Sequence, residues 1–185
     1  MLRSTSYRDL KVIDIAREAG TSPATFYQYF ADVEAAILVL AEEMAVDGEE
    51  LVRIVREGVW RGKAGYQTGL DLADAFFAFW DRHRPVLRVV DLATNEGDRR
   101  FRTIRVRLLN AVTVELAEIT KTFQAEGRNL GVEPTANAGV LVTMLANVAA
   151  HHSGFEAWGI HIADARTALA RHLYWGVTGQ KPPST

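Results

Sequence analysis

The chain has 185 residues, 48% of them hydrophobic and 24% charged, with a formal net charge of −2 at pH 7. That length favours one compact soluble unit able to bury roughly 70% of its unfolded surface without a metal or disulfide staple. It contains no cysteine, which excludes disulfides, thiol nucleophiles and Cys-ligated zinc and suits a reducing cytoplasm, the expected location. The near-neutral balance excludes a wholesale basic coat but leaves room for a small DNA-reading surface.

Apolar residues recur at three- and four-residue spacing along almost the whole chain, and strict alternation is nearly absent, so the expected fold is all-α, with about nine helices. Asp9 can cap a first helix running to Ala19, with Gly20 as its stop. Ser22-Pro23 supplies an N-cap followed by proline where its missing N–H costs least. Asp32 caps a further helix carrying Ile37, Leu40, Met44, Leu51, Ile54 and Val55, which fades between Gly58 and Gly65. A helix over Thr68–His83 puts Ala73, Phe76, Phe77 and Trp80 on one stripe and stops or kinks before Pro85. A short piece covers Val86–Ala93. Asp98 opens a long helix with Phe101, Ile104, Leu108, Val112, Leu116, Ile119 and Phe123 inward, ended by Glu126-Gly127. Pro134 to about Phe155 and Ile162 to Gly176 complete the set, and the polar tail QKPPST is expected to fray. The longest apolar runs, AAILVLA from Ala35 and AFFAFW from Ala75, are too short to span a bilayer. The start, MLRSTSYRDL, lacks the apolar stretch of a secretory signal. No membrane association is expected.

The segment from Asp9 to Ala36 carries the strongest functional signal. Val12, Ile15, Ala16 and Ala19 form one buried stripe, a glycine allows a sharp turn, and a helix of barely two turns follows. Two short helices joined by a tight Gly-containing turn are the layout whose second helix can enter the major groove. In SPATFYQYF, Phe26 and Phe30 can face inward, leaving Thr25, Tyr27, Gln28 and Tyr29 outward with groups that reach phosphates and base edges. Residues 1–35 hold four basic side chains against five acidic ones, a weak electrostatic footprint for a polyanion.

The string VIDIAREAGTSPATFYQYFADVEAAI resembles the DNA-binding signature of the tetracycline-repressor (TetR) family of bacterial transcription regulators, with D-I-A-x-x-A-G, then S-x-x-T-F-Y-x-Y-F, then an acidic helix start. The resemblance implies a DNA-binding domain over residues 1–45 and an effector-binding and dimerisation domain over 46–185. It implies phosphate contacts from Lys11 and Tyr27, with Pro23, Ala24, Thr25, Gln28 and Tyr29 facing the groove. It further implies a homodimer through the last two helices on a palindromic double-stranded operator, acting as a repressor released by a small apolar effector. The family's helix 1 should precede Tyr7, where only MLRSTS stands. That helix is therefore expected to be missing or truncated, leaving Ile15, Ala16, Phe26 and Phe30 poorly packed. The alternative function is a non-catalytic helical sensor or interaction module that no longer binds DNA well.

For the C-terminal part, Phe76, Trp80, Leu108, Met144, Asn147 and His151 are the candidate lining of an effector cavity, combining helical stripes with a few polar handles; the bland alternative is that they are core or interface. Leu145 and Leu169 are candidates for the dimer seam. Eight arginines fall between Arg82 and Arg107, either a mouth for an anionic effector or a solvated face with surface ion pairs. Enzymatic readings fare badly. His151-His152 with Glu156 lacks H-E-x-x-H spacing, Ser153-Gly154 lacks the G-x-S-x-G elbow, and no Gly-rich phosphate loop follows a strand. No metal, cofactor or catalytic residue is expected.

Overall fold

The structure is a computed structural model in which residues 1–183 are described, and all regular structure among them is helical. A 3₁₀ turn at Tyr7–Asp9 precedes α1 (Val12–Glu18), α2 (Pro23–Tyr29), α3 (Val33–Asp47), α4 (Glu49–Glu57), α5 (Gly62–Asn95), α6 (Arg99–Ala125), α7 (Pro134–Ala157) and α8 (Ile162–Thr178).

Local capping chemistry sets most boundaries. The Ser22 hydroxyl accepts from the Thr25 amide at 3.1 Å, with Pro23 at the first helical position. Asp32 Oδ1 accepts from Ala35 N at 2.7 Å. Asp98 Oδ1 accepts from Arg100 N at 2.8 Å, and Glu133 accepts from the amides of Thr135 and Ala136 to start α7. At the end of α1, Gly20 adopts φ +66°, Thr21 N donates to Ala16 O and Gly20 N to Arg17 O. This double bond pattern needs a left-handed residue that glycine adopts without a Cβ clash.

Four expectations are corrected. Asp9 does not cap α1; it ends the 3₁₀ turn, Leu10 is extended, and Lys11 occupies the N-cap without a side-chain bond. The single helix from Asp32 is interrupted at Gly48, a residue weak in helices, giving α3 and α4. Pro85 neither stops nor separates a helix. It sits inside the 34-residue α5, which absorbs the expected Val86–Ala93 piece and also extends back to Gly62. Phe76, Phe79 and Trp80 before the proline and Leu87, Val90 and Ala93 after it are all buried, so packing on both sides outweighs one lost backbone bond. The tail is not frayed as far as Pro183. Tyr174 Oη donates to Gln180 Oε1 at 3.2 Å, Gln180 N donates to Thr178 Oγ1, and Pro182 is buried; Ser184 and Thr185 lie outside the described residues.

The chain forms two compact units. Unit 1 combines residues 1–47 with 83–106, and its interior holds Ala16, Phe26, Ile37, Ala41, Met44, Leu87, Val90, Phe101 and Ile104. Unit 2 combines 48–82 with the chain from 107 onward. There α7 packs on α8, burying Leu141, Val142, Leu145 and Ala149 from one and Leu169, Leu173, Tyr174 and Val177 from the other. Its buried hydroxyls are satisfied within the backbone: Thr120 donates to Leu116 O, Thr178 to Tyr174 O, and Thr68 to Val59 O.

Candidate nucleic-acid interface and effector region

The reading head is built from α1, the Gly20 turn and α2, which pack on one another. Phe26 is buried, and its ring lies 5.3 Å from Phe30 and 5.7 Å from Tyr27. Ala16 is buried as well, while Ile15 and Phe30 are half-buried. The expectation that this group would be poorly packed is therefore corrected for Ala16 and Phe26, which are buried within unit 1. No α-helix precedes Val12 among the described residues. Instead the 3₁₀ turn is tied down: Tyr7 Oη donates to Glu96 Oε2 at 3.5 Å, and Arg8 pairs with the same carboxylate.

With Phe26 inward, the opposite side of α2 is open. Pro23, Ala24, Tyr27, Gln28 and Tyr29 are exposed, Tyr27 at 59% and Tyr29 at 76%. Large aromatic side chains so poorly covered on a two-turn helix are unusual for a surface that meets only water. Thr25 differs from the rest: it is half-buried and its hydroxyl is 2.9 Å from Ser22 Oγ, so it serves the cap. Lys11 is exposed at the start of α1. Six of the seven expected DNA-facing residues are thus available to a partner, and Thr25 is the exception.

The expected effector lining divides into a buried part and an exposed part. Phe76 and Trp80 stack at 5.5 Å with an interplanar angle of 15°, and both are buried with Leu108. Met144 is half-buried. Asn147 and His151 are exposed; they line an open groove of about 500 Å³ with Val148, Phe155 and Trp158, and the His151 Nδ1 sits 3.0 Å from Asn147 O. Helical period alone does not say which of two neighbouring stripes on α7 faces the protein, and the polar stripe faces out. Leu145 and Leu169, the candidate seam residues, are both buried inside the chain's own core.

The distribution of charge sets α7 apart from the other long helices. From Pro134 to Phe155 there is no Asp, Glu, Lys or Arg, so α7 carries no charged side chain before Glu156 in its last turn. Val140 is 69% exposed on it, and Trp175 on α8, 60% exposed, lines a groove of about 520 Å³ with Ala168, Arg171, His172 and Lys181. The arginine concentration is partly internal. Arg100 is bidentate on Asp98, which holds that carboxyl below the usual carboxylate range, and Arg105 Nε donates to Asp91 at 2.8 Å. No helix among the described residues is long and apolar enough to cross a membrane.

Comparison with known proteins agrees with this architecture. Residues 2–35 match the family described as bacterial regulatory proteins, tetR family, and residues 51–184 match the tetracyclin repressor-like C-terminal domain. A Haemophilus influenzae protein described as an uncharacterized HTH-type transcriptional regulator is 28% identical over 113 residues, covering 61% of this chain and 54% of that protein. The N-terminal match begins at residue 2, so the family's DNA-binding signature is present even though no α-helix precedes Val12. The helix-turn-helix and the C-terminal helical domain, each matched by the corresponding family, place the chain in the TetR family of transcription regulators.

Proposed function

We propose that the protein is a cytoplasmic, non-enzymatic repressor that reads a palindromic operator as a homodimer and is released by a small apolar effector. The observation that carries this reading is the open face of α2, where Tyr27, Gln28 and Tyr29 project from a helix anchored by buried Phe26. In the proposed complex Lys11 and Tyr27 hold phosphates, and Pro23, Ala24, Gln28 and Tyr29 meet base edges. Residues 1–45 would serve DNA and 46–185 the effector and the dimer. The uncharged face of α7 and the exposed Trp175 of α8 support pairing through these two helices. Two-fold symmetry would then set the reading heads roughly 34–36 Å apart, one helical turn of DNA. The effector is proposed to enter the C-terminal domain by parting the Phe76–Trp80 stack, with Leu108 and Met144 as further lining. Asn147 and His151 fit the dimer face better than the lining, because both are exposed.

The test is selection of duplexes from a random pool by the full chain, followed by a gel-shift titration in salt. Tyr27→Ala should weaken binding to all sequences alike, whereas Gln28→Ala should relax preference at one base pair by roughly 1–3 kcal/mol. A second reading, a sensor module with little DNA affinity, draws on the four basic against five acidic side chains of residues 1–35. Absence of any salt-dependent duplex shift would favour it.

A further inference from the structure

Unit 1 holds two adjoining cavities beside its N-terminal segment. The larger, about 380 Å³, is walled by Ile15 of α1, Val33, Ala36, Ile37 and Leu40 of α3, and Pro85 of α5. Its lining contains neither an aromatic ring nor a carboxylate. The smaller, about 170 Å³, is bordered by Ser4, Thr5, Ser6 and Arg88. The two share Leu2, Arg3 and Pro85, so an aliphatic groove adjoins a mixed one that carries two arginines and three hydroxyl side chains beside Tyr7, Val89 and Leu92. Arg3 and Arg88 are exposed, and neither pairs with a carboxylate among the described residues, unlike Arg8, Arg100 and Arg105 nearby in the same unit.

Each half of this arrangement selects one part of a ligand. Guanidinium groups hold a carboxylate through paired N–H donors, and the serine and threonine hydroxyls around them can share the remaining lone pairs. The groove gains by removing alkyl surface from water. Without a ring to stack on, it has no preference for a flat aromatic body. Its volume lies near the bottom of the range of about 300–1,000 Å³ found for small-molecule pockets and accommodates a single alkyl chain. The geometry points to a binding site for a single-chain alkyl carboxylate, its chain in the α1–α3–Pro85 groove and its carboxylate between Arg3 and Arg88. This site lies in the unit that carries the reading head, apart from the C-terminal effector position proposed above, and it does not depend on the protein binding DNA.

Isothermal titration of the full chain with decanoate, decan-1-ol and acetate tests it. Decanoate should bind saturably, one per chain, and decanol and acetate should each bind at least about tenfold more weakly, since charged hydrogen bonds and chain burial are both required. Arg88→Ala and Arg3→Ala should each weaken decanoate about tenfold while leaving decanol unchanged. Ala36→Phe should block decanoate by filling the groove. Trp158→Ala, in the groove on α7, should leave decanoate binding intact. Should Ala36→Phe unfold, the two arginine variants decide the matter, because both side chains are exposed. The proposal is overturned if decanoate shows no saturable binding, if decanol binds as tightly, if the arginine variants bind decanoate like the parent chain, or if Trp158→Ala abolishes binding.

Discussion

Gly65 sits in the first turn of α5 against the backbone that leads into it. A Cβ there would lie 2.4 Å from the Trp60 carbonyl carbon and 2.9 Å from the Tyr174 ring. Backbone cannot step aside as a flexible side chain can, so Gly65→Ala should destabilise the protein by about 1–3 kcal/mol despite alanine's better helix propensity. Urea unfolding of the two proteins measures this, and an unchanged or higher midpoint would mean that the turn at Trp60 shifts freely. Nothing in the sequence around Gly65 announces this constraint, because the close approach comes from chain folded back on itself. Ser22, Asp32 and Asp98 were legible for the opposite reason: each acts on an amide two or three residues away. Asn147 and His151 mark the limit of such reading. Their stripe was clear, but which side of α7 it occupies depends on α8 packing against the other side.

The helices were readable where their ends are chemical and unreadable where packing overrides propensity. The starts at Asp98 and Pro134 were each followed by a complete helix, whereas the proline in α5 and the glycine between α3 and α4 each reversed the expected outcome. The caps also make stability depend on acid. The Asp98 carboxyl is held low chiefly by the Arg100 side chain, Glu126 by its hydrogen bonds to Arg61, and Glu133 by the amides of Ala136 and Thr135. Because these folded-state values lie below those of the unfolded chain, the unfolded chain takes up protons first as pH falls. Their stabilisation is complete above the ordinary carboxylate range and is lost as pH drops through the lowered values. The urea midpoint should therefore fall on acidification. Glu133→Gln should lower the midpoint at neutral pH and shrink the fall, whereas a variant with the parent's acid profile would remove Glu133 from the account.

At the scale of the molecule, the uncharged α7 face has to meet something other than water if the family's pairing holds here. Val140→Glu places a charge on that face without touching the protomer's interior. Light scattering should then report one chain per particle where the parent gives two. A dimer of unchanged mass would move the seam off α7. A charge at Leu145 would not serve, since it would test folding instead. The reading head raises a separate matter of assembly. Its unit draws on residues 1–47 and on 83–106, with Phe26, Ile37 and Met44 from the first stretch and Leu87, Val90 and Phe101 from the second all buried. A peptide of residues 1–47 should accordingly show little helix by circular dichroism; a native-like spectrum would make that stretch self-sufficient. On the ribosome residues 1–47 emerge before residues 83–106, so the apolar face of the earlier stretch waits for the later one. At about 5–20 residues per second that is a delay of several seconds, in which Phe26, Ile37 and Met44 lack the partners that bury them in the finished unit.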